Sequence, residues 1–550
     1  MKKSITFVLS LLIVVALTAC SNPSTQTTSS TQTTSSTKAS IYNLPGNYPV
    51  FTETQTITWL LQQRANINSY TDNSFTELLQ TNGNVKLEII VLPTGEGASK
   101  FKLMVGAGDE LPDVINISLA RQEANDYGLS GVFAPLGNYL IDSDISYFMN
   151  QLGERFTRQL TNMKAADGNY YWYPVVSEIM NNLTASKLYV CHTWLEKVKL
   201  DMPTTTDDLY TILKAFSQQD MNGNGQDDEI PLMGAQGWAS YVEDALMNSF
   251  EFSNPDTNYI NVKDGKVYAA YTTDAWKNGL EYMRKLVDED LLSPVSFTHD
   301  FNGIVSVFQG SDDIVMGAFA CPTPRYQVDD PRILEYSIVC PPLKGPDGVQ
   351  YFAMSANDIA GPIAMISSDC ENPEMVARFI DIFYDPYTTL VSNWGIEGVD
   401  WAQDDSLEKM IPTAIYGRKQ INDVWTKPTN QIWGYEVPKF EGDWLFTETY
   451  NTNNISINNQ FLLYRNSIVT EFANYTPEVN FNVQTLTNEE IDEVGEISAT
   501  LKSHAKEMRI AFITGNRNLS TWDAYLAELE TIGLSKYLEV MQNVYDRMNN

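Results

Sequence analysis

Thr56-Ile57-Thr58-Trp59-Leu60-Leu61, Val85-Lys86-Leu87-Glu88-Ile89-Ile90-Val91 and Asp113-Val114-Ile115-Asn116-Ile117 are three short β-rich runs near the start of the chain. The first two bracket a stretch of helical character, and the third follows the punctuation Gly106-Ala107-Gly108-Asp109. This is βαβ grammar. Such alternation gives mostly parallel sheets with helices on both faces, and ligands bind outside the carboxyl ends of the strands. The other end of the chain reads differently. Between Asn488 and Asn550 the pattern is mostly helical, with Trp522, Tyr525, Leu526 and Leu529 at i, i+3, i+4 and i+7. A chain of 550 residues is long enough for two or more cores.

Asp+Glu 69 against Lys+Arg 36 gives a net charge of -33, which speaks against a nucleic-acid backbone as partner because like charges repel. At 43% hydrophobic and 11% aromatic the chain is too rich in core formers to be disordered. Cys191, Cys321, Cys340 and Cys370 form no C-x-x-C pair and read as buried free thiols rather than a zinc site. Lys2 and Lys3 precede an apolar run over residues 5–19, which is shorter than the ~18 residues a membrane span needs and suits a signal-peptide core. The run ends in Leu17-Thr18-Ala19-Cys20, which resembles the lipobox of bacterial lipoproteins, so residues 1–20 are expected to be a lipoprotein signal with Cys20 as the lipidated residue. Two or more acyl chains on one residue anchor stably where one is marginal. Residues 21–40 form a Ser/Thr-rich tether in which Ser-Thr-Gln-Thr-Thr-Ser occurs twice, at 24–29 and 30–35. Such a flexible chain spans about 25 Å. The expected location is the outer face of a bacterial cell membrane.

A second informative stretch lies between residues 188 and 231. Thr205-Thr206-Asp207-Asp208 has capping-box spacing, and Leu209, Ile212, Leu213 and Phe216 share one helical face. The helix delivers the chain to Asp220-Met221-Asn222-Gly223-Asn224-Gly225-Gln226-Asp227-Asp228-Glu229. Oxygen side chains fall at loop positions 1, 3, 5, 9 and 10, with Gly225 at position 6 for the sharp turn. Calcium takes six to eight hard oxygen ligands, so the expected set is Asp220, Asn222, Asn224, the carbonyl of Gln226, Asp228 and Glu229, around one structural Ca²⁺. Position 12 is Pro231 rather than Glu, so the bidentate ligand must come from Glu229 or Asp228, and Ile230-Pro231-Leu232 reads as a strand.

Several segments together resemble the large lipoprotein members of the extracellular solute-binding proteins that serve carbohydrate ABC importers, a group that includes the alginate-oligosaccharide binding proteins. They are Lys102-Leu103-Met104-Val105-Gly106-Ala107-Gly108-Asp109-Glu110-Leu111-Pro112-Asp113-Val114, Trp194-Leu195-Glu196-Lys197 followed by Pro203-Thr204-Thr205, the loop ending Asp228-Glu229-Ile230-Pro231, Gly395-Ile396-Glu397-Gly398-Val399-Asp400-Trp401, and Trp522-Asp523-Ala524-Tyr525. The resemblance implies an α/β, two-lobe, type 2 periplasmic-binding-protein-like fold with a hinge and C-terminal helices, and a calcium site remote from the sugar. It divides the chain into a first lobe of residues 41–171 plus about 345–400 and a second of 172–344 plus about 401–550. The hinge is expected near residues 171–174 and 395–401. Cys191-His192-Thr193 stands where relatives commonly carry Arg-x-Asp.

Independently, eleven Trp and twenty-nine Tyr suit sugar binding, because pyranose C–H faces stack on aromatic rings while Asp, Glu, Asn and Gln satisfy hydroxyls. Most aromatic residues belong to cores, so the candidates are those in Gly-punctuated contexts. Trp394 and Trp401 flank Gly395, Glu397 and Gly398; Trp238 follows Gly237; and Tyr171 and Trp172 lie where the first lobe should hand over. Phe319 and Trp59 complete the expected ligand-binding set. The preferred reading is a binding protein without catalytic residues, a monomer that takes an oligosaccharide and passes it to ABC permease subunits. The alternatives are an anchored glycoside hydrolase and a sugar-sensing or adhesive lipoprotein. A hydrolase would need two carboxylates about 5 Å or 6.5–9.5 Å apart, and no G-x-S-x-G or H-E-x-x-H motif is present.

Overall fold

The computed structural model describes residues 40–550 apart from 185, 238–239, 323–331, 333–334, 336–337, 356–360, 426, 435–436, 454–456, 478–485 and 550. Cys20, the signal segment, the tether to residue 39 and Trp238 therefore lie outside the described residues. Tyr42–Asn550 forms one unit. In chain order its strands are β1 (Gln55–Gln62), β2 (Val85–Leu92), β3 (Val114–Asn116), β4 (Tyr173–Glu178), β5 (Lys187–Val190), β6 (Ile230–Met233), β7 (Ile260–Lys263), β8 (Lys266–Ala269), β9 (Met316–Cys321), β10 (Ile338–Val339), β11 (Gly361–Ile366), β12 (Trp401–Ala402), β13 (Glu408–Lys409), β14 (Tyr416–Gln420), β15 (Lys439–Gly442) and β16 (Phe446–Tyr450). The expected β-rich runs are β1, β2 and β3 to within two residues at either end.

The first sheet has the order β15-β4-β11-β3-β1-β2. β1 lies parallel to β2 and β3, β15 parallel to β4, and β11 antiparallel to both β3 and β4. Five strands therefore run one way and β11 alone runs the other. The helix Ser74–Gly83 makes the β1–β2 crossover; Asn73 caps its first turn by accepting from the Phe75 amide, and Asn84 closes it in the left-handed conformation. The second sheet has the order β10-β5-β9-β6, with β9 parallel to β6 and antiparallel to β5. A third, small sheet follows the order β12-β14-β16-β13, and β7 and β8 form a hairpin.

Two apolar cores result. One is built on the first sheet, from residues such as Phe51, Trp59, Phe101, Trp172, Phe379, Phe383 and Trp433. The other is built on the second sheet and the C-terminal helices, from residues such as Trp194, Phe216, Met247, Trp276, Phe512, Trp522 and Tyr537. The helix Asn488–Thr514 carries a capping box at Thr487 and Glu490 and ends at Gly515 with φ 77°; Trp522–Ile532 and Leu534–Asn549 follow, as the C-terminal pattern indicated. The chain passes between the cores after β4, between Met354 and β11, and after β16.

These passages shift the expected boundaries. Trp172, Tyr173 and Val176 pack in the first core because β4 is an interior strand of its sheet. Phe352 packs in the second core, whereas Val424, Ile432, Trp433, Val437 and Phe440 return to the first. The four cysteines after residue 20 are free and buried. Among the described residues no helix is long and apolar enough to cross a membrane.

Candidate functional site

The parallel strands of the first sheet deliver their carboxyl ends to one edge. Arg64 follows β1, Glu178 ends β4, and Asp443 and Trp444 follow β15. The segment after β4, which contains the short helix Met180–Leu183, leads from this edge to Lys187, the first residue of β5, which pairs with Cys321 at the end of β9. Because β6 is parallel to β9, its loop Gly234-Ala235-Gln236 leaves from the same edge of the second sheet. The passage after β4 thus joins two strand-end edges, the place where open α/β sheets receive ligands.

Around this passage sits a half-buried aromatic group. Tyr387, Trp394, Tyr416 and Trp444, with Ile179 of the passage, pack on a small apolar cluster of Leu390, Trp401, Leu445 and Phe446. The Arg418 guanidinium lies 3.8 Å above the Trp394 ring, and Trp425 and Phe446 meet the same indole edge-on at 6.2 and 5.7 Å. Arg418 is enclosed and paired with Glu448 at 3.1 Å. Arg155 covers Trp444 at 4.8 Å while its Nε donates to Glu178 Oε2 at 3.1 Å. The indole N–H groups of Trp394 and Trp444 and the side-chain oxygen of Asn181 are enclosed without a hydrogen-bond partner among the described residues. Such groups are costly to leave unpaired.

Charged side chains brace this region from beneath. Lys187 donates to the carbonyls of Asn181, at 3.0 Å, and Thr184; burial, with the nearby Arg465 charge, holds its ammonium well below the usual lysine range. The Met180 amide donates to Asp443 Oδ2 at 2.9 Å, and burial pushes that carboxyl up. Lys439 is depressed by burial, partly offset by Glu441 beside it.

The candidates named from the sequence separate clearly. Trp394 belongs to the half-buried group, and Glu397 is exposed on the loop that follows it. Five others are core, which corrects the expectation for them. Trp59 is stacked on Phe383 at 5.5 Å and donates to Asn116 Oδ1. Trp172 is fully enclosed and donates to Asn125 Oδ1 at 2.9 Å. Tyr171 is buried, its ring against Gly128 where a Cβ would stand 2.1 Å from it, and its hydroxyl donates to Asp167; burial, and after it that carboxylate, pushes the hydroxyl pKa up to about 12. Phe319 stacks on Tyr189 at 5.7 Å inside the second core. Trp401 is fully enclosed and donates from Nε1 to the Gly395 carbonyl at 2.9 Å. These rings have no face open to a sugar. For Trp401 the neighbouring glycine misled the sequence reading because Gly395 allows close packing instead: a Cβ there would lie 2.3 Å from Asp400 Oδ2. Trp425, Trp444, Arg418 and Asn181 were missed; only β15 and the short strands around them would have revealed that the chain returns to the passage there.

The acidic loop folds on itself. Asp220 accepts from the amides of Gly223, at 2.6 Å, and Gly225, at 2.9 Å; Glu229 Oε1 accepts from Met221 at 2.7 Å. The side-chain Nδ2 groups of Asn222 and Asn224 donate to Asp228 at 2.9 and 3.1 Å. The donors are hard oxygens, which fit Ca²⁺ in kind. Among the described residues no three acidic, His or Cys side chains converge as a metal centre.

Two α/β lobes joined by three passages, with aromatic and guanidinium groups gathered where the strand ends meet, define a two-lobe binding protein. The chain belongs to the bacterial extracellular solute-binding proteins, whose family model matches residues 64–386. It is similar to the fructooligosaccharide ABC transporter substrate-binding protein FusA of Streptococcus pneumoniae serotype 4, 28% identical over 462 residues and 82% of either chain. FusA solved with kestose, and as an EF-hand mutant with fructo-nystose, matches 90% of this chain and 99% of its own with TM-score 0.70 and 22% identity. An HMO-binding, ABC-transporter-associated solute-binding protein from Bifidobacterium longum infantis gives TM-score 0.73 over 90% of this chain and 99% of its own, at 20% identity. Alginate-binding AlgQ2, solved without calcium ion, gives 0.66 over 91% and 100%, also at 20%.

Proposed function

We propose that this protein is a lipid-anchored binding protein that captures an oligosaccharide between its lobes and delivers it to an ABC importer. The observation that carries the reading is the pair of half-buried rings Trp394 and Trp444, each with a guanidinium group against it, at the passage between two strand-end edges. Aromatic faces with polar groups around them suit sugars, which present C–H faces and hydroxyls together. Glu397, exposed beside Trp394, would add a hydroxyl acceptor. The FusA relative supports a fructooligosaccharide as the first sugar to try. One Ca²⁺ held by Asp220, Asn222, Asn224, the Gln226 carbonyl, Asp228 and Glu229 would hold this acidic loop in shape; the EF-hand mutant made of FusA and the calcium-free form of AlgQ2 support that assignment. Lipidation of Cys20 would tie the chain to the membrane.

The test is calorimetric titration of the full chain with kestose, nystose and a panel of neutral and acidic oligosaccharides, with a product assay alongside. Saturable binding to at least one sugar without turnover is expected. No binding across the panel would overturn the reading, and turnover above the uncatalysed rate would replace it with the hydrolase alternative.

A further inference from the structure

The helix Pro386–Trp394 ends at the indole assigned to the sugar, and its last turn is unlike its tip: Ser392 and Asn393 are buried, whereas Trp394 is half-buried. The Asn393 amide lies between two charges. Its Oδ1 accepts from Lys439 Nζ at 2.6 Å, and its Nδ2 donates to Glu441 Oε2 at 2.6 Å. Lys439 and Glu441 are i and i+2 on β15, so they share a face of the strand, and they stand 3.7 Å apart with 1% and 4% of their side chains exposed. An ion pair this deeply buried is tolerable only if further hydrogen bonds use its remaining donors and acceptors. An amide supplies one acceptor and one donor group on a single plane, which neither a carboxylate nor an apolar side chain does.

On its other side Trp394 is followed by residues held by hydrogen bonds. Gly395 has φ 79° and ψ -161°, its carbonyl accepts from Trp401, and the Ile396 amide donates to Asp400 Oδ2 at 2.9 Å. The indole is thus fixed at both neighbours, with Arg418 setting one face. We infer that Asn393, clamped between Lys439 and Glu441, is a positioning residue that holds the Trp394 indole at the angle needed to receive a sugar. The inference rests on the reading of Trp394 as sugar-facing. It also gives Trp401 and Gly395 a role: they fix the indole from the far side and do not touch the ligand.

The experiment uses the full chain carrying 5-fluorotryptophan, with Trp394→Phe to assign the Trp394 fluorine resonance and Trp522, in the second core, as reference. Asn393→Leu should broaden or shift the Trp394 resonance and leave that of Trp522 unchanged. Because this variant strands two buried charges, a triple variant, Asn393→Leu with Lys439→Met and Glu441→Met, restores an apolar filling and should show the same displaced Trp394 signal in a stable lobe. With kestose as titrant, the triple variant should weaken binding about tenfold and have no further effect in a Trp394→Ala background, as coupled residues do. An unchanged Trp394 resonance, or losses that simply add in the Trp394→Ala background, would overturn the positioning role. If kestose fails to bind the wild type, the fructooligosaccharide choice fails, while the fluorine spectrum still decides the role of Asn393.

Discussion

Trp394 and Trp401 stand seven positions apart around one glycine loop and look alike as sequence, yet their truncation should have opposite consequences. Trp401 is completely enclosed by Leu390, Leu445 and Phe446 and anchors Gly395 through its indole N–H. Removal of a core tryptophan costs about 3–5 kcal/mol through lost burial and the cavity left behind. The Gly395 carbonyl would also lose its donor, about 1–3 kcal/mol if it stays buried. Overlap between the two effects leaves about 5 kcal/mol for Trp401→Ala, which in a lobe of this size lowers the melting midpoint by about 10–20 °C. Trp394 is half-buried, and its truncation mainly frees Arg418, which keeps Glu448. The expected stability loss is about 1–2 kcal/mol, with roughly tenfold weaker sugar binding. Thermal and urea unfolding, followed by a first-lobe fluorescence probe because two lobes need not melt as one, measure the first quantity. Calorimetric titration measures the second. A Trp401→Ala protein as stable as wild type, or a Trp394→Ala protein destabilised more than Trp401→Ala, would refute the assignment of one indole to the core and the other to the ligand.

Calcium removal is expected to lower the melting temperature, since a ligand at a hundredfold excess over its Kd stabilises by about 2.7 kcal/mol; an unchanged curve in EDTA together with no metal by elemental analysis would exclude the site. Burial raises the Asp381 carboxyl from 3.8 to about 7, against the donations it receives from the Phe148 and Met149 amides. The folded state then binds that proton more tightly than the unfolded chain. Its stabilising contribution is full below about pH 4 and is lost as the pH rises towards 7, about 4 kcal/mol in all. Asp381→Asn should flatten the dependence of the urea midpoint on pH over that window, and an identical slope would exclude the effect. Cys20→Ala should release the protein from the membrane fraction or leave it as uncleaved precursor; normal retention after signal cleavage would refute lipidation. Glu397→Gln should weaken sugar binding a few-fold with no change in melting temperature, because the side chain is exposed.

The βαβ opening was legible because β1, β2 and β3 and their crossover are consecutive and carry strong periodicity and caps. The capping box at Thr205 and Asp208 was legible for the same local reason. Legibility ended where structure depends on distant chain. β11 and β15 complete a sheet begun more than two hundred residues earlier, and nothing local to Lys439-Phe440-Glu441-Gly442 announces its partner. The aromatic candidates were ambiguous for a related reason: tryptophan in a glycine-punctuated loop is equally suited to a sugar face and to a tight core. Trp401 went one way and Trp394 the other because a single indole found the Gly395 carbonyl.

The strand order of the first sheet also governs when this lobe can exist. β3 and β4 are not neighbours; the space between them is filled by β11, and β4 gains its outer neighbour only with β15. At about 5–20 residues per second, the interval between synthesis of β4 and of β15 is on the order of tens of seconds, during which the early strands have open edges and no complete sheet to join. Until β15 has been made, such a chain must be kept from pairing its bare edges with another copy.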